Sequence, residues 1–451
     1  MTAFLPSRTR WPLSLMAVAV LAGCGDTATL AIEQGTGPNP QLPEPVKRLI
    51  PTVKVAPVKR WAATAKPIAA DDLQVNAFAR DLDHPRWVYV LPNGDVLVAE
   101  TARPPKPENA ESGGGLRKKV QGAVMKKAGA VVSSANRITL LRDADGDGVA
   151  EVRTQFISGL FSPFGMALVG DRFYVANADA LVSFPYTPGD THITAKPTFV
   201  ANLPGGLNHH WTKSLLASPD GSKLPDGSKL YVGVGSNSNV AENGMEAELN
   251  RAAILEIDPA TGNSRVFASG LRNPVGTAWE PQSKALWVVV NERDEIGSDL
   301  VPDYLTSVRD GGFYGWPYSY YGQHVDERVE PQNAELVAKA IKPDYALGPH
   351  TASLGLSFAS GTLLPERFRR GAFIGQHGSW NRDPPSGYKV LFVPFANGKP
   401  SGTPITVLDG FLDAEGNAQG RPVGVAPDNS GALLVADDVG NVIWRVTPKT
   451  R

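Results

Sequence analysis

The chain has 451 residues, with 44 Lys and Arg against 45 Asp and Glu, so its formal net charge of -1 gives no global field that would draw it to nucleic acid. With 46 glycines, 38 prolines and 42% hydrophobic residues, it is neither a disordered chain nor one built on long helices; many turns joining short buried strands are expected. A single cysteine, Cys24, excludes an internal disulfide framework and a cysteine-rich metal centre.

In chain order, the first element is "MTAFLPSRTRWPLSLMAVAVLAGCGD", where Arg8 and Arg10 precede an apolar run from Trp11 to Ala22. Charge followed by a run too short to span a bilayer is the layout of an export signal. Leu21-Ala22-Gly23-Cys24 resembles a bacterial lipobox, so residues 1–23 are expected to be a lipoprotein signal peptide, removed to leave a lipid-modified Cys24. An ordinary signal peptide with an incidental cysteine is the other reading. Lipid on Cys24 implies an exported bacterial lipoprotein of the cell envelope, and Gly25, rather than Asp, favours the periplasmic side of the outer membrane where two membranes exist. Residues 24–72 carry Pro38, Pro40, Pro43, Pro45, Pro51, Pro57 and Pro67 without apolar alternation, which predicts a stiff tether.

Beyond it one phrase returns six times: "HPRWVYVLPNGDVLVAE" from His84, then comparable stretches from Ser162, Thr212, Asn273, Ala352 and Arg421. Each is a short apolar strand, a turn and a second strand, recurring roughly every 65 to 70 residues. A unit that cannot bury both faces alone, repeated radially, predicts an all-β six-bladed β-propeller over residues 73–451. A pair of stacked β-sandwiches gives no reason for the recurrence. Residues 101–134 interrupt the first unit with Arg117, Lys118, Lys119, Lys126 and Lys127, a basic insertion that suits anionic lipid or a solvated loop.

In such a ring, function collects where loops enter the innermost strands around the axis. His209-His210, Arg272-Asn273, Asn291-Glu292-Arg293, His377 and Arg421 all stand at such points, in different repeats. A neutral imidazole at His210 suits proton abstraction from a hydroxyl, and the guanidinium and carboxamide of Arg272 and Asn273 suit a carboxylate- or carbonyl-rich ligand. Arg421 adds a second fixed positive charge. Separately, "RDADGDGVAE" sets Asp143, Asp145, Asp147 and Glu151 around tight glycine turns, a pattern for a hard cation such as Ca²⁺. It lacks the far glutamate of an EF-hand and lies between two strands of one blade, so a structural calcium hairpin is expected, with a metal-free acidic turn as the alternative.

At "HHWTKSL", "GLRNPVGTAWEP", "FYGWPYSYYG" and "RPVGVAPDNSGALLVADD" the sequence resembles the glucose/sorbosone dehydrogenase family, most closely its sorbosone dehydrogenase branch, from about His84 to the C-terminus. The resemblance implies a six-bladed propeller using pyrroloquinoline quinone with Ca²⁺ to oxidise sugars. It implies that His210 is the catalytic base, that Arg272 stabilises the reduced quinone, and that His209, Asn273 and Arg421 bind the cofactor. Where better-studied branches have a Gly-Pro pair facing the quinone's Ca²⁺, this chain has Glu292-Arg293, which makes Glu292 a metal candidate. The family's cofactor-pairing lysine has no match, and Arg382 or His377 is expected to replace its charge. Trp211, Trp316, Tyr318, Tyr320 and Tyr321 are candidates for a sugar-stacking rim. The expected partners are a small sugar or aldehyde, an unidentified electron acceptor and, through Cys24, a membrane. Two other functions fit the architecture: a calcium-dependent lactonase, with carboxylate and Asn ligands at the axis, and a non-catalytic carbohydrate- or protein-binding propeller.

Overall fold

The computed structural model describes residues 25–48, 52–107, 132–219 and 228–449. Cys24 and the five basic residues of the insertion lie outside them. Among the described residues six antiparallel sheets form the blades, beside a two-stranded ribbon of Ser319–Tyr320 and His324–Val325, and each recurring phrase supplies the first two strands of one blade. Blade 1 contains Pro85–Val90, Val96–Glu100, Arg137–Arg142 and Val152–Ile157; blade 2, Gly165–Val169, Arg172–Ala176, Ala180–Pro185 and Thr198–Asn202. Blade 3 contains Lys213–Ala217, Leu230–Val234, Ala253–Ile257 and Ser264–Ser269; blade 4, Pro274–Trp279, Leu286–Val290, Pro302–Val308 and Tyr345–Pro349. Blade 5 contains Ser353–Phe358, Gly371–Gln376, Lys389–Ala396 and Ile405–Asp409. Blade 6 contains Pro422–Pro427, Leu433–Asp437 and Val442–Pro448, and its fourth strand is the N-terminal Leu73–Ala79. That strand pairs antiparallel with Val442–Pro448, so the two ends of the repeat region close the ring within one sheet.

The first strands of neighbouring blades touch one another around the axis, including blade 6 against blade 1. Glycine makes this approach possible. A Cβ on Gly165 would collide with Lys213 and Leu215 of the next first strand, and one on Gly276 with Leu354 and Leu356. Second strands are buried on both faces, as in Leu286–Val290, and their Val and Leu side chains fill the core between blades. Because strands alternate in direction, the loops entering each first strand and those leaving each second strand emerge on one face of the ring. This is the site face.

The described residues of the expected tether, 25–48 and 52–72, are not a free segment. Thr36–Gly37 adds a fifth strand to blade 4, Ile68–Ala69 adds one to blade 5, and between them the chain crosses the site face. Thr29 and Leu30 donate backbone N–H groups to Asp299, Asn381 bonds the Thr52 carbonyl, and Trp61 Nε1 donates to Asp437 at 2.7 Å. The strap's donors here are Thr29, Leu30 and Trp61 rather than prolines, so its proline content does not cost it these contacts.

Candidate active site

His210 enters blade 3 at the axis. Its Nδ1 lies 2.9 Å from the Ser236 carbonyl oxygen and 3.0 Å from Ser236 Oγ, while that hydroxyl itself donates to the Ser238 carbonyl. Both neighbours therefore accept, so Nδ1 carries the proton and Nε2 presents a lone pair. Burial first, then the charge of Arg272 and the neighbouring His209, push the His210 pKa well below its ordinary value. The imidazole is neutral, and its free nitrogen is basic. His209 stands edge-on to it, ring centroids 4.7 Å apart, with its N–H held by Asn237 Oδ1 at 3.0 Å. Arg103, at the start of the blade 1 insertion, donates to the His209 carbonyl.

Arg272 and Asn273 precede the first strand of blade 4 and lie beside His210. The Arg272 guanidinium is buried, donating to the Glu292 carbonyl, to Asn239 Oδ1 at 2.9 Å and to Asp294 at 3.1 Å. Asp294 also meets His350 Nδ1 at 3.2 Å, and His350 Nε2 faces the Gly297 carbonyl at 2.9 Å. Both imidazole nitrogens of His350 face acceptors, so it is the charged form. Burial opposes that charge, but Asp294 holds the His350 pKa above its usual value. Asn273 Oδ1 is buried with no hydrogen-bond partner, and a Cβ on Gly235 would strike both that oxygen and His210 Cβ.

The other half of the axis is organised by Asp438, just after the second strand of blade 6. His377 Nε2 donates to its carboxylate at 3.0 Å, Arg86 Nη1 at 3.0 Å, and His84 Nδ1 to its carbonyl at 3.0 Å. Burial opposes ionisation of Asp438, but His377, His84 and Arg86 hold its pKa well below the carboxylate range. His377 is neutral, pushed down to about 4 by burial, which outweighs the pull of Asp438, while Arg421 and Arg86 add smaller contributions in the same direction as burial. Arg86 lies over Trp211, which follows His210, at 5.7 Å, so the two halves meet. Arg421 sits over Tyr388 at 4.8 Å and reaches the His377 and Ala56 carbonyls only at 3.4 Å; its Nε has no partner, nor has Arg86 Nε.

Three orphaned polar atoms, Asn273 Oδ1, Arg421 Nε and Arg86 Nε, are thus buried around one axis. Leaving such groups unmet costs about 1–3 kcal/mol each, so the site is built for a ligand whose anionic or carbonyl oxygens accept from the two Arg Nε–H groups and which offers an N–H or a bound cation to Asn273 Oδ1. A planar quinone with three carboxylates fits that donor set.

Four sequence expectations need correction. The Glu292 carboxylate is buried against Arg293, Oε2 to Nε 2.9 Å, and Arg293 continues to Asp326 at 3.1 Å and to the Pro317 and Ser319 carbonyls. Its oxygens serve this internal ion pair rather than a cation at the axis. Arg382 turns to the Pro384 carbonyl at 2.8 Å and to Asp299 at 3.5 Å, where it braces the N-terminal strap rather than facing the axis. His377 does reach the axis, but as the partner of Asp438. Trp211 packs edge-on against Phe164 in the core, and Trp316, Tyr320 and Tyr321 are buried with Trp316 Nε1 fixed on the Asn239 carbonyl, so these rings pack the interior instead of forming an open stacking rim. Asp143, Asp145, Asp147 and Glu151 do converge, their oxygens within 4.8 Å of one another, on the face opposite the site. Asn239, Asp294, His350, Arg86 and Asp438 were missed; only "ADD" after a second strand marked one of them as a site-face position.

The chain matches the TrAA12-like family over residues 112–303 and 321–449. It belongs to that family. An uncharacterized protein of Borreliella burgdorferi is 32% identical over 296 residues, covering 64% of this TrAA12-like chain and 76% of the relative. The pyrroloquinoline quinone-dependent pyranose dehydrogenase of Coprinopsis cinerea is 26% identical over 266 residues, half of this chain but 35% of that protein, so the chain spans about a third of that curated relative. The holo PQQ domain of the same dehydrogenase superimposes with a TM-score of 0.66 at 21% identity, covering 87% of this chain and all of that one. The calcium structure of a Trichoderma reesei family AA12 enzyme gives 0.67 at 19% identity, over 88% and 99%. The apo aldose sugar dehydrogenase of Escherichia coli gives 0.56 at 16%, over 84% and 100%. At these identities the structures establish the propeller fold.

Proposed function

We propose that this TrAA12-like chain is a quinoprotein oxidoreductase that oxidises an aldose or sugar aldehyde, sorbosone- or glucose-like, with pyrroloquinoline quinone as hydride acceptor. The observation that carries the reading is the neutral His210, its Nε2 lone pair free, beside the orphaned Asn273 Oδ1. When bound, the quinone supplies a two-electron acceptor that no side chain can provide.

The residues divide the remaining work. His210 Nε2 takes the proton of the sugar hydroxyl, and the Ser236 carbonyl keeps the imidazole in the basic tautomer. Arg421 and Arg86 are the residues that would hold carboxylates of the cofactor, and Asn273 would add a further polar contact to it. Arg272, held by Asp294 and Asn239, offers positive charge next to His210 and stabilises negative charge that develops there. Its anchoring keeps that charge from moving, which is what makes it effective in a water-poor site. Conserving a neutral base beside a fixed cation also suits oxidation better than lactone hydrolysis, because the axial carboxylates Asp294 and Asp438 are already paired with cations.

Calcium belongs in two places under this reading: with the cofactor, and in the Asp143–Glu151 hairpin as a structural ion. Cys24 carries lipid and holds the protein in the bacterial envelope, and the electron acceptor is unidentified. The test is reconstitution of purified protein with pyrroloquinoline quinone and Ca²⁺, followed by quinone absorbance on adding a panel of aldoses and sorbosone. Saturable binding with substrate-dependent bleaching is expected; absence of saturable binding sinks the proposal.

A further inference from the structure

The N-terminal strap has a geometric consequence for the whole molecule. Asp26 N donates to Thr52 Oγ1 at 2.7 Å, and Ser298 grips Asp26 from the other side, N to Oδ2 2.8 Å and Oγ to O 2.9 Å. Ala28 N donates to the Asp383 carbonyl at 2.7 Å, and Asp299 takes the N–H groups of Thr29 and Leu30. Ser298, Asp299 and Asp383 all lie in loops that leave second strands, so the residues directly after Cys24 are pinned to the site face. Asp26, the first of these pinned residues, follows Cys24 by two positions in the sequence.

An independent feature lies on the same face. Eleven large apolar residues are exposed among those described, and five are on site-face segments: Leu249 at 74%, Met245 at 50%, Leu207 and Val53 at 44% and Phe161 at 40%. Leu207 and Phe161 stand on loops entering first strands, Met245 and Leu249 on the loop leaving the second strand of blade 3, and Val53 on the strap. Val149 and Leu363 are the pair on the opposite face. Protruding apolar side chains on separate loops of one face do not stabilise the fold, because each leaves its core behind.

We infer that the site face lies against a lipid bilayer, with Leu207, Met245, Leu249, Phe161 and Val53 entering the interfacial layer and His210 and Arg272 on the membrane side of the ring. The inference rests on the lipidation of Cys24 for its anchor, while the apolar loops argue for the surface by themselves. The contact made by these loops is apolar rather than Coulombic, since Glu242 and Glu246 flank Met245, and a preference kept at high salt separates it from any pull of the basic blade 1 insertion on anionic headgroups. On the proposed function, a membrane-facing site also means that reducing equivalents leave it next to the bilayer.

The test uses the full exported chain in phosphatidylethanolamine vesicles with a minor share of phosphatidylglycerol. Nitroxide probes are attached through Leu207→Cys on the site face or Leu363→Cys on the opposite face, and their collision with a headgroup-tethered nickel chelate is measured at low and high salt. Several-fold greater collision at position 207 than at 363, insensitive to salt, is expected. Equal or reversed values overturn the orientation, and a preference that disappears in high salt overturns its apolar character. A difference that tracks protein concentration without vesicles assigns the face to a second copy instead and overturns it as well. Intact mass reports acylation of Cys24 separately. If the chain is not acylated, the lipoprotein reading fails, and the same pair of probes in a Cys24→Ser background still decides the surface: a preference at 207 upholds it, and none removes it.

Discussion

His210 Nδ1 and the Ser236 carbonyl oxygen are 2.9 Å apart, and this one contact sets the chemistry of the axial site. An acceptor at Nδ1 keeps the proton there and leaves Nε2 as the base. Replacing His210 with Ala should therefore lower kcat on the order of a thousandfold while leaving quinone affinity within about threefold, since the base acts on the substrate proton. Stopped-flow turnover beside equilibrium cofactor titration checks both halves. A variant that turns over normally refutes the role.

The pH dependence follows from the same residue. Burial, Arg272 and His209 hold its pKa well below 6.5 in the folded protein, so the neutral, active form persists as pH falls. The acid limb of kcat/KM should lie clearly below 6.5, and Arg272→Met, which removes one of the depressing charges, should move that limb upward as well as lowering the rate. An acid limb at or above 6.5 in the unmodified enzyme contradicts the assignment.

Gly235→Ala is the sharpest structural test of the cradle. The added methyl would strike Asn273 Oδ1 and His210 Cβ at once, and Gly235 has backbone on both sides that fixes where a Cβ points. A loss of about 1–3 kcal/mol in stability is expected, with quinone affinity falling at least about tenfold. Denaturant unfolding and cofactor titration on the same preparation separate these effects.

The repeat was legible because burial imposes a pattern: every second strand must be apolar on both faces, and every turn between it and the first strand needs Gly, Pro, Asn or Asp. Thus six phrases beginning at His84, Ser162, Thr212, Asn273, Ala352 and Arg421 correspond to six blades, and residues at their heads, His210 and Arg272 among them, converge. Partnership was not legible. Glu292 reads like a metal ligand by position, yet the decisive fact is that Arg293 beside it points inward and needs a counter-charge. Asp438 and Asp294 carry no motif of their own, because each is defined by cations distant in sequence: His377, His84 and Arg86 from other blades for Asp438, and Arg272 and His350, 22 and 56 residues away, for Asp294. The strap was misread for a related reason: proline content reports stiffness, and says nothing about whether carbonyls of a stiff segment find donors such as Asn381.

The Glu292 correction makes its own prediction. Arg293 is fully buried and paired with Glu292 and Asp326. Glu292→Ala would strand part of that charge and should cost about 3–5 kcal/mol, seen as a lower denaturation midpoint. The calcium dependence of quinone binding should be unchanged. A variant with normal stability but lost calcium dependence would restore Glu292 to the metal site.

The acidic hairpin offers a separate test of calcium. Asp145 Oδ1 accepts the Asp147 N–H at 3.1 Å and Asp147 Oδ1 accepts that of Val149 at 2.8 Å, bonds that a carboxamide oxygen can keep. The double substitution Asp145→Asn, Asp147→Asn therefore preserves the turn and removes two charges, isolating the electrostatic contribution of an ion. A bound ion stabilises the fold by about 2.7 kcal/mol at a hundredfold excess over its Kd, so calcium should raise Tm of the unaltered protein by several degrees and leave the double variant unmoved. Because the hairpin lies on the face opposite His210, quinone affinity should be the same in both proteins. Were calcium to raise the two melting temperatures equally, its stabilising site would lie elsewhere, and the hairpin would be an acidic turn held by its own backbone.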